Sequence, residues 1–213
     1  MRSFVLASVS AAALVLTAAP ASAAIILDTG NIGGGLTTVH LDGNASANVV
    51  NGGVQGPGGA DVAVLISGSE AIQPSSVGNG QAWVTALDGG LAGLTFAIAP
   101  GYAFDTLVFN TNAPAGKPSP YTITLTAGGE TKSFDLPGNN SFFSIYTTAG
   151  EALSSVTFAS TSDLDGVGQI RFGGVEQVAA VPEAGAWAMM IAGFAVTGLA
   201  MRRRRAVATV RAA

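Results

Sequence analysis

Short stretches in which hydrophobic and polar residues alternate are the dominant pattern between residues 24 and 180. The clearest is Tyr121–Thr126, where a tyrosine, an isoleucine and a leucine alternate with three threonines. Because alternate residues of a strand lie on opposite faces, this pattern predicts a strand with one buried face. Val156 with Phe158, and Ile170 with Phe172, alternate in the same way. The region lacks the 3.6-residue period of a long amphipathic helix, so the pattern predicts an all-β region.

The same region predicts a series of strands separated by turns rich in glycine, asparagine, aspartate and proline. They cover Ala24–Leu27, Leu36–Leu41, Asp61–Ser67, Gln81–Leu87, Leu94–Ile98, Phe104–Asn110, Tyr121–Thr126, Thr131–Leu136, Ser141–Tyr146, Ser154–Ser160 and Gly168–Phe172. Many short strands at this spacing predict an antiparallel β-sandwich of jelly-roll-like type. Ala127–Glu130 and Leu87–Gly90 have the composition of hairpin turns. Asn51–Gly59 is predicted to be a loop without core residues.

Residues 1–23 have the three parts of a secretory signal peptide. Arg2 supplies a positive charge, Phe4–Leu16 is apolar, and the last three residues form a small-residue cleavage motif with Ala21 and Ala23 at its key positions. The apolar run is shorter than the roughly 20 residues that a membrane-spanning helix needs. We therefore predict cleavage between Ala23 and Ala24, and export of residues 24–180.

The C-terminal part contains an uncharged, mostly apolar stretch at residues 184–201. As a helix it would extend about 27 Å, close to the hydrocarbon thickness of about 30 Å. Positive residues remain on the cytoplasmic side of a membrane, and the stretch is followed directly by Arg202, Arg203, Arg204 and Arg205. This predicts a transmembrane helix with residues 24–180 outside the cytoplasm and residues 207–213 as a cytoplasmic tail.

The residues around this stretch resemble a known sorting signal. Val181-Pro182-Glu183 precedes the apolar stretch, Trp187-Ala188-Met189-Met190 lies within it, and the four arginines end it. This combination resembles the PEP-CTERM sorting signal in its PEPxxWA variant, a segment also called the ice-binding protein C-terminal domain. The resemblance covers residues 181–206. Ala184 stands where the usual motif has a second proline.

The resemblance implies an exported envelope protein of a Gram-negative cell. Proteins with this signal are held transiently in the inner membrane by the C-terminal helix and are then processed by an exosortase. By this resemblance, Pro182, Glu183 and Trp187 are recognition residues, and the four arginines are the membrane stop signal. Residues 24–180 would lie in the periplasm and then at the cell surface or outside the cell. The implied role is structural or adhesive, linked to exopolysaccharide or biofilm, with the exosortase and the secretion machinery as partners.

Composition limits the remaining function classes. The 213-residue chain has no cysteine and one histidine, which excludes disulfides, thiolate zinc sites and histidine-cluster metal sites. Residues 24–180 hold three basic and twelve acidic residues, a formal charge of −9. Since this region has no basic patch to bind phosphates, nucleic acid is not an expected partner. We predict a non-enzymatic protein with no catalytic residues, no cofactor and no metal ligands.

Three features could carry chemistry, and each has a simpler interpretation. His40 lies two residues before Asp42, but no serine in a nucleophile-elbow pattern accompanies it, so an ordinary strand histidine is favoured. Residues 163–166 (Asp-Leu-Asp-Gly) resemble the opening of a calcium loop. Val167 and the missing closing glutamate favour a turn there, and calcium binding stays the alternative. Paired carboxylates of a glycoside hydrolase are a third alternative, because their separation is spatial rather than sequential.

The candidate ligand-binding groups are four aromatic residues, Trp83, Tyr102, Tyr121 and Tyr146. They could form a stacking surface for the apolar faces of sugar rings, or they could pack in the core. A contiguous exposed aromatic patch would indicate a carbohydrate-binding module, which is the leading alternative to a structural or adhesive role. Ice binding would require a flat, regular threonine array, and Thr122, Thr124 and Thr126 supply only one strand of it.

Overall fold

The computed structural model describes residues 24–75, 82–113, 120–148, 150–178, 189–195 and 197. Up to residue 178 the described ranges form antiparallel β-sheets, which confirms the predicted all-β class. Two large sheets share one hydrophobic core in a β-sandwich-like arrangement. A short two-stranded ribbon, β9 (Tyr102–Ala103) with β16 (Glu176–Gln177), accompanies them.

Within the described ranges, sheet 1 contains seven strands. They are β1 (Ile25–Thr29), β2 (Thr37–Thr38), β6 (Ile72–Pro74), β7 (Trp83–Ala86), β10 (Thr106–Asn112), β13 (Ser141–Thr147) and β15 (Gly166–Gly173). Their spatial order is β1, β13, β10, β15, β7, β6, and β2 pairs with the second half of β15.

Sheet 2 likewise has seven strands among the residues that the structure describes. They are β3 (His40–Ser46), β4 (Val49–Gln55), β5 (Asp61–Gly68), β8 (Leu91–Ile98), β11 (Tyr121–Ala127), β12 (Glu130–Leu136) and β14 (Ser155–Leu164). Their spatial order is β12, β11, β14, β8, β5, β4, β3, and a 3₁₀ turn (Pro57–Gly59) connects β4 to β5.

The chain passes repeatedly from one sheet to the other. It runs from β7 in sheet 1 to β8 in sheet 2, then to β10, to the β11–β12 pair, to β13, to β14 and back to β15 in sheet 1. Strands that are neighbours in space are therefore distant in sequence. In sheet 1, β15 lies between β7 and β10; in sheet 2, β14 lies between β8 and β11.

Phenylalanines from both sheets meet in the core. Phe109 of sheet 1 contacts Phe96 and Phe158 of sheet 2, with ring centroids 5.1 and 5.4 Å apart. Phe143 of sheet 1 contacts Phe134 of sheet 2 at 5.7 Å. Except for Phe134, these rings are almost fully buried. Because large aromatic side chains bury the most apolar area, these contacts hold the two sheets together.

The alternation that predicted the strands is confirmed in the structure. In β11, Tyr121, Ile123 and Leu125 are buried, while the three threonines between and after them are half-buried or exposed. The turn at 127–130 is confirmed as a hairpin, since Gly128 and Gly129 have φ values of 53° and 90°. Positive φ at both central positions matches the twist of the flanking strands.

The prediction that Asn51–Gly59 forms a loop without core residues is wrong. Most of it belongs to β4, in which Val50 and Val54 are fully buried. Gly52 and Gly53 lie where the neighbouring strand β3 comes close: a Cβ on Gly52 would lie 2.5 Å from the carbonyl oxygen of His40. Glycine here permits a close approach of two strands rather than a turn.

Two further predictions are corrected by the way the chain changes sheets. Leu87–Gly90 does form a turn, but it connects β7 of sheet 1 to β8 of sheet 2 and is not a hairpin. The predicted strand Leu36–Leu41 is divided at Val39, between β2 of sheet 1 and β3 of sheet 2. Local composition identifies a turn or a strand, but it does not indicate which sheet receives the chain.

Residues 189–195 and 197 are helical, and the Thr197 hydroxyl donates to the Gly193 carbonyl oxygen at 2.8 Å. These residues fall within the predicted transmembrane helix, the rest of which lies outside the described residues. In the part of the chain that the structure describes, no helix has both the length and the apolar character needed to span a membrane.

Candidate functional site

One row of residues crosses the outer face of sheet 1, the face turned away from the core. Strand pairing places Phe142 of β13 beside Asn110 of β10, Asn110 beside Gly168 of β15, and Gly168 beside Trp83 of β7. We call these four residues the Trp83 row. The residues that follow Phe142 and Trp83, Phe143 and Val84, are in the core, so the row faces outward.

The half-buried Trp83 side chain lies over Gly168. A Cβ on Gly168 would collide with the Trp83 ring, and one on Gly166 would lie 3.1 Å from Trp83 Nε1. The ring therefore rests on backbone that has no side chains beneath it. Glycine at these two positions of β15 leaves the room that the indole occupies.

Asn110 is the unusual polar residue of this face. It is only 8% exposed, and its Oδ1 atom is buried without a hydrogen-bond partner. Most buried side-chain polar atoms have a partner, because an unpaired one costs about 1–3 kcal/mol. An apolar residue of similar size at this position would avoid that cost. The amide is therefore a candidate for a function other than stability.

Among the described residues, Arg171 supplies a positive charge near the row, on the same outer face of β15. Its Nη2 donates to Oδ1 of Asn31 at 2.6 Å, and its Nε donates to the carbonyl oxygen of Gln169 at 3.4 Å. The guanidinium carbon lies 6.0 Å from the centre of the Phe142 ring. Arg171 is therefore held beside Phe142 by contacts within the protein.

The segment after β1 divides the outer face into two areas. Ser144 of β13 is 1% exposed because this segment lies over it: Ser144 Oγ donates to the Gly30 carbonyl at 2.6 Å and accepts from the Ile32 amide at 3.3 Å. Tyr146 lies beyond Ser144 on the same face. The segment thus separates the half-buried Tyr146 from the Trp83 row.

The other predicted aromatic candidates do not join this row. Tyr121 is 3% exposed, belongs to the core, and donates its hydroxyl to the Asn139 carbonyl at 3.0 Å. Tyr102 is half-buried in the β9–β16 ribbon. The four predicted aromatics therefore do not form one contiguous patch, and only Trp83 contributes to the row.

The outer face of sheet 2 carries hydroxyl groups that bond to each other across strands. Thr95 and Thr157 are 2.9 Å apart at their Oγ1 atoms, and those of Thr126 and Thr131 are 3.1 Å apart. Strand pairing places these four and Ser67 in one row across five strands. Two further pairs continue the pattern, Thr124 with Ser133 and Thr122 with Asp135. Such cross-strand pairs stabilise a sheet.

His40 lies on β3, and its acidic neighbour is Asp61 rather than Asp42, the residue considered in the sequence. Its Nε2 is 3.4 Å from Oδ2 of Asp61, and the two side chains are 60% and 66% exposed. Both pack over Gly53, where a Cβ would lie 2.7 Å from His40 Nε2. The arrangement fits the ordinary strand histidine expected from the sequence.

Acidic residues surround a cleft of about 360 Å³ at one end of the molecule, with Asp105, Glu151 and Glu176 among its lining residues. The turn predicted at residues 163–166 is shorter in the structure: Leu164 ends β14, Gly166 begins β15, and Asp165 alone forms the bend between them. Across the described ranges, no three His, Asp or Glu side chains are placed so that they could hold a metal ion.

Most residues of the predicted processing sites lie outside the described residues. These are Ala21 and Ala23 before the first cut, and Pro182, Glu183, Trp187, Arg202, Arg203, Arg204 and Arg205 at the sorting signal. Ala24 is described, and it is held at the edge of sheet 1. Its amide donates to Thr148 Oγ1 at 3.2 Å, and its carbonyl accepts from the Thr148 amide at 3.0 Å.

Sequence reasoning missed Asn110, Phe142, Gly168 and Arg171. Asn110 ends a predicted strand, where asparagine suggests only a turn. Its partners come from strands far apart in the sequence, and nothing in the local pattern joins them. Comparison with known proteins adds no assignment: no protein-family model matches the chain, and a search of curated proteins found no significant match.

Proposed function

We propose that the chain is an exported envelope protein that an exosortase sorts and processes, and that its folded part has a structural or adhesive role in the extracellular matrix. The proposal combines three parts of the sequence: the signal peptide that ends at Ala23, the all-β region, and the sorting segment at residues 181–206. It places residues 24–180 first in the periplasm, under a transient inner-membrane anchor, and then at the cell surface or outside the cell.

The exposed apolar side chains of the C-terminal helix carry the proposal. Met189 is 76% exposed, Ile191 65% and Phe194 72%. A soluble protein rarely leaves adjacent large apolar side chains in water, whereas lipid would cover them. They lie between the predicted recognition residues and the arginine cluster, where the proposal requires a membrane-embedded segment.

The contacts of Ala24 support the position of the first cut. Cleavage after Ala23 would leave the Ala24 nitrogen as an amino group, which can still donate to Thr148 Oγ1 at its present 3.2 Å. The first residue of the mature chain would therefore keep its contacts with the end of β13.

The strand order supports the finer proposal of a jelly-roll topology. Four central strands of sheet 1 run β7, β15, β10, β13, and four of sheet 2 run β8, β14, β11, β12. This is the order in which eight strands of a double Greek key alternate between two sheets. A jelly-roll carbohydrate-binding module is therefore the second candidate function, favoured by the outward-facing Trp83 row.

Substitution of Glu183 tests the sorting proposal. In cells that contain an exosortase, we expect the wild-type chain, tagged in the loop between β11 and β12, to shorten and leave the membrane fraction. Glu183→Ala should remain at full length and membrane-bound, because the recognition carboxylate is lost. Mass spectrometry and fractionation measure both, and the mature chain should begin at Ala24. Glu176→Ala is the matched control, since it removes an exposed carboxylate of the β16 strand outside the motif.

Equal size and equal membrane retention of the wild type and Glu183→Ala would overturn the processing proposal. Recovery of the wild type from the cytosol with its N-terminal methionine would overturn export as well.

A further inference from the structure

We propose that the Trp83 row is a binding site for a neutral polysaccharide, with a sugar ring stacked on Trp83 and a sugar hydroxyl bonded to Asn110. The inference rests on the proposed adhesive function and names the chemical class that the folded part would bind. Four observations carry it: the placement of the Trp83 ring, the unpaired amide oxygen, the charge of the region and the length of the row.

The Trp83 ring has the placement of a stacking platform. One side of the ring rests over Gly168 and beside Gly166, so the other side is turned away from the sheet. The apolar C–H face of a pyranose packs well on an aromatic ring, because both surfaces leave water. The side chain is only half-buried, which leaves part of its area for such a contact.

Asn110 supplies the polar contact that gives such a site its specificity. The Oδ1 atom accepts no hydrogen bond in the free protein and is not in contact with solvent. A sugar hydroxyl that reaches it therefore forms a new bond without displacing water from the acceptor. Because this atom is buried, binding requires a local shift of the groups around Asn110.

The charge of the region favours a neutral ligand. Residues 24–180 carry a formal charge of −9, which repels an anionic polysaccharide. Arg171, a cation beside the row in the described part of the chain, already donates to Asn31 and lies near the Phe142 ring. An anionic group of a ligand would have to compete with these contacts for the guanidinium.

The length of the row fits a chain of sugars rather than a single sugar. From Phe142 to Trp83 the row crosses from β13 to β7, three strand spacings of about 4.8 Å each, or about 14 Å in total. Phe142, at the opposite end from Trp83, offers a second aromatic contact for a longer chain.

Native gel electrophoresis through immobilised polysaccharides tests the inference. The probes are dextran, galactomannan and laminarin as neutral polymers, and alginate as the anionic polymer. The full-length chain is used in a detergent without sugar headgroups. We expect at least one neutral probe to retard the wild type and alginate to have no effect. Trp83→Ala and Asn110→Leu should each weaken that retardation at least ten-fold.

Tyr102→Ala is the matched control, because it removes a half-buried aromatic ring outside the row, and it should be retarded like the wild type.

With Trp187→Phe, Trp83 is the sole tryptophan of the chain. Its fluorescence should then change on addition of the same neutral probe. Circular dichroism melting shows whether each variant is folded, and Asn110→Leu is expected to melt no lower than the wild type.

The inference is overturned if no neutral probe retards the wild type, if alginate retards it more strongly, or if folded Trp83→Ala and Asn110→Leu bind as the wild type does. These outcomes are separate from those of the Glu183→Ala experiment. Normal processing without polysaccharide binding would refute only the binding site, and binding without processing would refute only the sorting proposal.

Discussion

The outer faces of the two sheets differ in how their polar groups are satisfied. On sheet 2, Thr95 pairs with Thr157 and Thr126 pairs with Thr131. On sheet 1, the Asn110 amide lies between two aromatic residues and its Oδ1 has no partner. The polar groups of sheet 2 stabilise the sheet itself, whereas the amide of sheet 1 destabilises it. An unpaired polar group beside aromatic rings therefore indicates a binding site better than polarity alone does.

Substitution of one glycine on each outer face by alanine should have the largest effects. On sheet 2 we expect the change mainly in the free energy of unfolding, and on sheet 1 mainly in polysaccharide binding. A Cβ on Gly93 of sheet 2 would lie 2.5 Å from the Phe158 carbonyl oxygen, so the backbone of β14 must move. We expect Gly93→Ala to lower the free energy of unfolding by about 3 kcal/mol and to leave polysaccharide binding unchanged. A Cβ on Gly168 would instead displace the Trp83 ring. Gly168→Ala should cost about 1 kcal/mol and weaken binding at least ten-fold.

Equilibrium urea unfolding and affinity electrophoresis of the two variants measure these effects. If Gly168→Ala kept full binding, the position of the Trp83 ring would not matter, and the contrast between the two faces would lose its functional meaning.

Removal of one polar group from each face should change stability in opposite directions. Asn110→Leu removes an unpaired acceptor and fills a similar volume, so the free energy of unfolding should rise by about 1 kcal/mol. Thr157→Ala removes a cross-strand hydroxyl pair, so the free energy of unfolding should fall by about 0.5 kcal/mol. Urea unfolding followed by circular dichroism measures both. A loss of stability in Asn110→Leu would show that the amide is satisfied in solution.

The exposed His40–Asp61 pair on sheet 2 should contribute least to the free energy of unfolding. His40 and Asp61 are more than half exposed and 3.4 Å apart, and solvent weakens such pairs. We expect His40→Gln to change the free energy of unfolding by less than about 0.5 kcal/mol, measured by the same urea method. Thr95→Ala serves as the reference for a paired group on the same face. A larger effect of His40→Gln than of Thr95→Ala would contradict this ranking.

The sequence predicts strands well where one face is buried and poorly where glycine replaces side chains. The alternation in Tyr121–Thr126 depends on burial alone, and the structure confirms it. In Val49–Gln55, Gly52 and Gly53 led to the prediction of a loop instead of a strand. In the structure these glycines allow the neighbouring strand β3 to come close, and they do not form a turn. The glycines are visible in the sequence. The close approach of β3 that requires them depends on strand pairing, which the local sequence does not show.

The site was less predictable than the fold, for the same reason. Trp83 could be named as a candidate because a large aromatic residue suggests binding wherever it occurs. Asn110, Gly168 and Phe142 acquire meaning only through strand pairing over 30 residues or more of sequence. The bend at Asp165 was predictable because the preference of aspartate and glycine for turns is local.

The pairing of β1 with β13 has a consequence for the moment at which the protein can fold. Ala24 and Thr148, which are bonded to each other, are 124 positions apart in the chain. β1 can therefore pair only after β13 has been synthesised. Contacts between residues so far apart in the sequence make folding slow. If the chain is exported as proposed, slow closure of the sheet would keep it extended during passage through the translocation channel. Under that proposal, we expect Ala24 and Thr148 to meet only after both have crossed the membrane.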